Sequence, residues 1–140
     1  VLPLLQQRPA QLLVANRTPQ RAAELAHRFA AQGPVAAAAF DQLGAEAPFD
    51  VIVNATSASL DAQLPALPPS VFGADSFCYD MMYGAAPTVF LRFAASHGAH
   101  TRDGLGMLVE QAAESFFVWR GVRPQTGPVL AELRARLASG

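Results

Sequence analysis

Residues 50–57 read Asp-Val-Ile-Val-Asn-Ala-Thr-Ser, and this stretch decides the fold. Val51, Ile52 and Val53 form an uninterrupted β-branched run, which predicts a strand over Asp50–Asn54 that is buried on both faces. Strands of this kind belong to parallel sheets whose two faces are covered by helices. The small polar residues that follow predict a loop or helix start at the carboxyl end of the strand.

Short apolar runs separated by amphipathic segments continue in both directions from this strand. They predict three further strands and one short candidate, with helices between them. This pattern is typical of an α/β fold with a doubly wound, mainly parallel sheet and, here, additional C-terminal helices. The other predicted strands are Gln11–Ala15, Val35–Ala38 and Ser76–Asp80, with Ala99–Arg102 as the short candidate.

The predicted helices begin and end at recognisable caps. Thr18 followed by Pro19 is typical of an N-cap and a first helical position, and glycine is typical just past a helix end. Segment 58–70, which contains three prolines, is predicted to be a surface loop. The predicted helices are one that starts at Thr18-Pro19, one over about Thr88–Ser96, an amphipathic one from Leu105 to Gly121, and a last one over Pro128–Ala138.

Composition excludes several classes of protein. Ten arginines against eleven acidic residues give a net charge of −1, which disfavours a nucleic-acid or anionic-membrane partner. No apolar run approaches the roughly 20 residues of a membrane span. The chain contains no lysine, so chemistry that needs a lysine amine cannot come from it. Because the sequence begins at Val1 without an initiator methionine, we expect it to start inside a longer protein.

The number of cysteines and the spacing of the histidines indicate the redox compartment and whether a metal site is expected. Cys78 is the single cysteine, so an internal disulfide is impossible and a reducing cytoplasm is expected. His27, His97 and His100 show no metal-ligand spacing, and we expect no metal site.

Asn16-Arg17-Thr18 follows the first predicted strand and precedes a helix start, where open α/β sheets bind ligands. Arg21 lies one helical turn further on the same side. An arginine at this point accommodates the 2′-phosphate of NADP, whereas an acidic residue holds the ribose of NAD. Both guanidinium groups, the free helix amides and the Thr18 hydroxyl would bind a phosphate together. Alternatively, both arginines are solvated surface charges.

Two further strand ends carry polar side chains. Residues 54–57, Asn-Ala-Thr-Ser, would line the nicotinamide side of a cofactor, or they form an ordinary cap or turn. Tyr83 follows the strand at 76–80, and its hydroxyl suits a polyol substrate. The alternative for Tyr83 is a core aromatic whose hydroxyl reaches the surface.

The long amphipathic helix opens with two glycines, Gly104 and Gly106, which allow close backbone approach to a ligand. Met107 and Gln111 are four residues apart and share a helix face. Gln111 would present its amide to a hydroxylated ligand while Met107 forms a contact wall. The alternative is a packed helix start in which glycine relieves backbone crowding.

In this order, the motifs resemble the C-terminal half of shikimate dehydrogenases, NADP-dependent oxidoreductases of aromatic amino acid biosynthesis. The resemblance runs from Val1 to near Gly140 and implies a Rossmann-like sheet, NADP as cofactor and reversible reduction of 3-dehydroshikimate to shikimate. It is carried by Asp103-Gly104-Leu105-Gly106-Met107-Leu108-Val109 with Gln111-Ala112, by Asn16-Arg17-Thr18 with Arg21, by Asn54-Ala55-Thr56-Ser57, and by Tyr79-Asp80-Met81 with Tyr83.

The resemblance also implies a role for each of these positions. It places cofactor contacts at the adenosine end and along the nicotinamide, and substrate contacts at two side chains. Asn16 would contact the adenosine ribose, Arg17 and Arg21 the 2′-phosphate, Thr18 the same adenosine end, Thr56 and Ser57 the length of the cofactor, Met81 and Gly104 the nicotinamide amide, Met107 the ring, and Tyr83 and Gln111 the substrate.

The sequence departs from the family pattern at its start and in one loop. Members carry a first strand and a glycine-rich phosphate turn before the helix that here begins at Val1, and neither is in this sequence. They also carry an N-terminal substrate domain, whose lysine and aspartate serve as acid and base. After Ser57 the family continues Ser-Gly, where this chain has Ala58-Ser59.

These departures lead to three expectations. Residues 1–103 would form an incomplete NADP-binding domain, and residues 104–140 would form helices that pack back on the substrate domain. The chain would hold no catalytic residue. By itself it would be inactive.

Two alternatives remain. One is an NAD-dependent quinate/shikimate dehydrogenase, which usually has an acidic residue near the ribose; no acidic residue occurs between Gln11 and Arg21. The other is a non-catalytic nucleotide-binding module. Both the shikimate dehydrogenase and its NAD-dependent alternative would act on a small molecule, as a monomer or homodimer.

Overall fold

The computed structural model describes residues 1–45, 48–56 and 63–139. Every strand pair in this part of the chain is parallel. The strands are β1 (Leu12–Ala15), β2 (Val35–Ala38), β3 (Val51–Asn54), β4 (Phe77–Asp80) and β5 (His100–Arg102). The α-helices are α1 (Leu2–Leu5), α2 (Pro19–Phe29), α3 (Val89–Ser96), α4 (Leu105–Arg120) and α5 (Thr126–Ser139), and 3₁₀ turns occur at Phe40–Ala45 and Pro69–Val71.

The chain divides into two compact units. The first comprises Val1–Pro48 with Ala66–Val71, and the second comprises Phe49–Pro65 with Phe72–Gly140. In the first unit, β1 pairs with β2 from Leu12 opposite Val35 to Ala15 opposite Ala38. Helix α2 packs on this pair and buries its small apolar residues Ala22 and Ala26.

The second unit contains a three-stranded sheet in the order β3-β4-β5. Its central strand β4 buries Cys78 completely. Helix α3 begins at the N-cap Thr88, whose hydroxyl accepts a hydrogen bond from the Leu91 amide. The helices of this unit supply most of its core, with Phe90, Leu91 and Ala94 from α3 and Leu105, Val109 and Ala113 from α4.

The predicted α/β fold class is confirmed, because the sheets are parallel and carry flanking helices. All five predicted strands are present, and four of them begin one residue later than predicted. The described strands form two sheets with orders β1-β2 and β3-β4-β5.

The prediction that Asp50–Asn54 is buried on both faces is wrong. Val51 is 57% exposed and Val53 is 42% exposed, whereas Asn54 is buried. Within the described residues β3 pairs only with β4, so it is an edge strand. Its exposed valines alternate with Ile52, which is half-buried.

The predicted helices are confirmed with small shifts of their ends. Thr18 is the N-cap of α2, and Gly121 ends α4 in the left-handed conformation with φ of 69°. Helix α5 begins at Thr126, two residues earlier than predicted. Of the predicted loop at 58–70, residues 58–62 lie outside the described part. No helix in the described ranges is long and apolar enough to cross a membrane.

Cys78 provides a test of the packing of β4. Its side chain is fully buried, and burial raises the pKa of the thiol to about 11. Since the thiolate is the reactive form, we expect negligible alkylation of Cys78 at pH 8 in the folded protein and rapid alkylation in denaturant. Peptide mass spectrometry locates the label. Fast labelling without denaturant would contradict the buried position.

Candidate functional site

Asn16 directly follows β1 and turns the chain into α2. Its Oδ1 atom accepts a hydrogen bond from the Thr18 amide at 2.9 Å, which forms an Asx turn. Thr18 then caps α2 with an extended backbone, and within the described residues its side chain makes no capping hydrogen bond. The Thr18 hydroxyl therefore remains available to a ligand. Of the first residues of α2, Pro19 has no amide hydrogen, and the Arg21 amide donates to the Thr18 carbonyl at 3.0 Å.

Arg17 and Arg21 are both exposed at this helix start. Neither forms an ion pair with any residue of the described ranges. The first turn of α2 contains no acidic residue, so the positive end of the helix dipole adds to both guanidinium charges. The local field therefore suits a dianionic group such as a phosphate monoester.

Asn54 ends β3 and is 5% exposed. Its Oδ1 atom accepts hydrogen bonds from the Thr56 amide at 3.2 Å and from the Thr56 hydroxyl at 2.8 Å. Asn54 thus forms a second Asx turn at the carboxyl end of a strand. The half-buried Thr56 is positioned by this turn, and the candidate Ser57 lies outside the described residues.

Asp80 ends β4 and is completely buried. One carboxylate oxygen accepts a hydrogen bond from the Met82 amide at 3.0 Å, and the other accepts one from the Thr88 hydroxyl at 2.6 Å. The carboxylate thereby joins the end of β4 to the N-cap of α3. Met81 and Tyr83, on the loop that follows, are 39% and 40% exposed.

Asp80 belongs to one of the sequence motifs, but no function was predicted for it. No local sequence pattern indicates its hydrogen bond to Thr88, because the two residues are eight positions apart.

Gly104 packs against the backbone of Met81. A Cβ atom at Gly104 would lie 2.0 Å from the Met81 carbonyl oxygen and 2.6 Å from the Met81 carbonyl carbon. The Gly104 amide donates a hydrogen bond to the Met82 carbonyl at 3.0 Å. With φ of −78° and ψ of 0°, the backbone conformation itself suits other residues. Glycine is therefore required here by space.

The two glycines of the helix start differ. A Cβ atom at Gly106 would meet nothing within 4 Å, so of the two glycines only Gly104 is crowded by other protein atoms. The close approach of both glycines to a ligand stays a prediction. Met107 and Gln111 follow on α4, where Met107 is half-buried and Gln111 is exposed. The crowding interpretation of the helix start accounts for Gly104, and a ligand role for Met107 and Gln111 stays a prediction.

Asp103 precedes Gly104 and is held by Arg134 of α5. Two guanidinium nitrogens donate to the two carboxylate oxygens, each at 2.6 Å, in the bidentate geometry of strong arginine–carboxylate pairs. The Leu105 amide also donates to Asp103, at 3.3 Å. Sequence reasoning did not find this pair, because 31 residues separate its members.

The hydrogen bond from Arg134 holds the pKa of Asp103 below its ordinary value. A depressed carboxyl pKa stabilises the fold above the unfolded-state pKa and ceases to do so as the pH falls through the folded-state pKa. We expect the gap in free energy of unfolding between the unsubstituted protein and Asp103→Asn to be present at pH 7 and to shrink below about pH 4. Denaturant titrations at several pH values measure it. A gap that does not change with pH would contradict the ion pair.

The candidate residues therefore form two groups, each within one unit. Asn16, Arg17, Thr18 and Arg21 lie in the first unit, and the groups at the ends of β3 and β4 and at the start of α4 lie in the second. Across residues 1–45, 48–56 and 63–139, no three histidine, cysteine or acidic side chains come close enough to hold a metal ion.

Parallel strands with flanking helices, and with polar candidate residues at the carboxyl ends of the strands, are typical of a Rossmann-like α/β protein. Residues 1–62 match the model of the family described as shikimate / quinate 5-dehydrogenase, and residues 104–134 match that of the shikimate 5′-dehydrogenase C-terminal domain. The chain belongs to the shikimate dehydrogenase family, as its motifs predicted.

Individual relatives agree with this family. The chain is 59% identical over 137 residues to a shikimate dehydrogenase (NADP(+)) from Herminiimonas arsenicoxydans, covering 98% of this chain and 50% of that protein. An Ael1 enzyme from Pseudomonas putida has a similar structure, with a TM-score of 0.84 and 44% identity over 94% of this chain and 48% of that one.

A second solved structure is of shikimate 5-dehydrogenase from Thermus thermophilus in complex with NADP(H) and shikimate. It matches with a TM-score of 0.74 and 30% identity, covering 94% of this chain and 48% of that one. The chain thus spans about half the length of the curated relatives it matches.

Proposed function

We propose that this chain supplies the NADP-binding part of a shikimate dehydrogenase, which reversibly reduces 3-dehydroshikimate to shikimate. Relatives named shikimate dehydrogenase (NADP(+)) at 54–59% identity support the reaction. The cofactor that they name supplies the hydride. This chain's own residues bind and orient that cofactor and contact the substrate.

The observation that carries the proposal is the pair of arginines at the start of α2, which form no ion pair within the described part of the chain. Arg17 and Arg21 stand where an acidic residue would select NAD, and no acidic residue occurs from Gln11 to Arg21. Thr18 adds a hydroxyl that the helix cap does not use. These donors fit the 2′-phosphate of NADP, and Asn16 beside them fits the adenosine ribose.

In the second unit, Gly104 packs directly against the Met81 backbone, with no room for a Cβ atom between them. We assign the nicotinamide amide to a position beside these two residues, the ring to Met107, and the substrate to Tyr83 and Gln111. Thr56 would lie along the cofactor with Ser57. The lysine and aspartate that family members use as acid and base are not assigned to this chain, which has no lysine.

We extend the proposal to the domain organisation. Residues 1–103 would form the cofactor-binding domain, and 104–140 would form helices that pack on a substrate domain. The second half of α4 supports this, because its aromatic residues Phe116, Phe117 and Trp119 are 45%, 41% and 78% exposed. An apolar surface of this kind is typical of an interface. The single buried cysteine fits a cytoplasmic location.

Turnover by the protein from the complete reading frame tests the proposal. Shikimate or quinate is offered with NADP or NAD in all four pairings, and reduction of the nicotinamide is followed by absorbance. We expect strong turnover only with shikimate and NADP. Comparable turnover with quinate and NAD would contradict the arginine assignment. A folded protein without turnover in any pairing would contradict the enzyme itself.

A further inference from the structure

The turn at Met81–Met82 is held by backbone hydrogen bonds from two directions. The Met81 amide donates to the Asn54 carbonyl at the end of β3, at 3.0 Å. The Met82 carbonyl accepts from the Gly104 amide at the start of α4, also at 3.0 Å. The position of this turn, and of Tyr83 just beyond it, thus depends on where the Gly104 peptide lies.

The Gly104 peptide is in turn placed by Asp103. The Asp103 carboxylate accepts a hydrogen bond from the Leu105 amide and one from each of two guanidinium nitrogens of Arg134. It thereby joins the first turn of α4 to α5.

The Asp103–Arg134 pair differs from the other two ion pairs of the described residues in the burial of its carboxylate. The Asp103 side chain is 12% exposed, and the Arg134 side chain is 48% exposed. Both members of Arg123–Glu114 and of Arg136–Glu132 are more than half exposed. Exposed pairs contribute little because water competes for both charges, whereas a sheltered bidentate pair restricts geometry.

Helix α5 has no fully buried side chain among its described residues. Leu130, Leu133 and Leu137 are only half-buried, so apolar contacts alone hold this helix weakly. The ion pair to Asp103 is the polar connection between α5 and the start of α4.

We propose that Arg134 is a positioning residue, which acts through Asp103 to hold the Gly104 peptide against the Met81–Met82 turn. The inference rests on the proposed function, since it assigns Arg134 to the nicotinamide end of that site. Helix α5 contacts neither cofactor nor substrate in this account. It sets the geometry of the turn that does.

Hydrogen exchange tests, without any ligand, whether Arg134 holds the Gly104 peptide in place through Asp103. In the complete protein, Arg134→Gln is expected to speed exchange of the Gly104 amide by about tenfold, because the Asp103 loop loses its partner. Asp103→Asn is expected to give the same increase, and the double variant no more than either single one. Arg136→Gln is the matched control: it lies on the same helix and loses only an exposed pair.

Kinetics tests the consequence for the site. With shikimate and NADP, Arg134→Gln is expected to lower kcat by about tenfold with a smaller change in KM for NADP, whose phosphate end lies elsewhere. Arg134→Lys keeps the charge without the planar fork, and is expected to restore part of kcat. Melting temperatures identify any variant that fails to fold, in which case Arg134→Lys supplies the comparison.

Exchange and kcat that match those of Arg136→Gln would overturn the proposal. Additive exchange effects of Arg134→Gln and Asp103→Asn would overturn it too. An unsubstituted protein without turnover would contradict the proposed function, and the exchange measurement would still decide whether Arg134 holds Gly104.

Discussion

Replacing Gly104 by alanine is expected to lower kcat/KM for shikimate by roughly 100-fold. The added Cβ would lie 2.0 Å from the Met81 carbonyl oxygen, which is backbone and cannot swing aside. Either the Met81–Met82 turn or the start of α4 must shift, and both belong to the proposed nicotinamide end of the site. A displacement of about 1 Å there is enough for a loss of this size.

Gly106→Ala is the matched control for Gly104→Ala. It lies two residues further on in the same helix and meets nothing within 4 Å, and alanine favours the helix there by about 1 kcal/mol over glycine. Steady-state kinetics and melting temperatures of both variants of the complete protein separate a misplaced site from a loss of stability. Activity of Gly104→Ala within twofold of Gly106→Ala would contradict the account.

Replacing Arg17 by aspartate is expected to lower kcat/KM with NADP by roughly 100-fold, the scale of losing a charge-assisted hydrogen bond, and to change kcat/KM with NAD much less. The arginine would no longer bind the 2′-phosphate, and a carboxylate at this point repels it. The same carboxylate accepts the ribose hydroxyls of NAD. The preference for NADP over NAD should therefore fall, and the dependence of the rate on shikimate concentration should not change.

Arg28→Asp is the control for this charge reversal. Arg28 is exposed in the last turn of α2, at the opposite end of the helix from Arg17. Arg28→Asp changes the net charge by the same amount as Arg17→Asp. It is expected to leave the ratio of kcat/KM with NADP to kcat/KM with NAD unchanged. Equal losses with both cofactors in Arg17→Asp would disprove the assignment of the 2′-phosphate to this arginine.

Local sequence signals account for most of the secondary structure. A β-branched run placed β3, and short apolar runs placed the other strands. Thr18, Thr88 and Gly121 marked helix ends through interactions that span four residues or fewer. The same signals put polar side chains at the carboxyl ends of strands. The positions of Arg17, Thr56 and Gly104 could therefore be predicted without a structure.

Features that depend on distant partners could not be predicted. Val51 and Val53 share one face of β3 and are exposed on it, which the hydrophobic pattern alone does not reveal. The hydrogen bonds of Asp80 to Thr88 and of Asp103 to Arg134 join different elements. Such pairs leave no periodic signal in the sequence.

The family resemblance supplied what the residues alone left open. Two arginines at a helix start are equally compatible with solvated surface charges. Their order with the motifs at 54–57, 79–83 and 103–112 points to one family, and the family matches at residues 1–62 and 104–134 confirm it. The roles of individual residues stay predictions.

The structure of the complete protein with NADP bound tests the central claim most directly. The account predicts the 2′-phosphate within hydrogen-bond distance of Arg17 and Arg21, and the nicotinamide amide beside Met81 and Gly104. A 2′-phosphate that contacts neither arginine would contradict it.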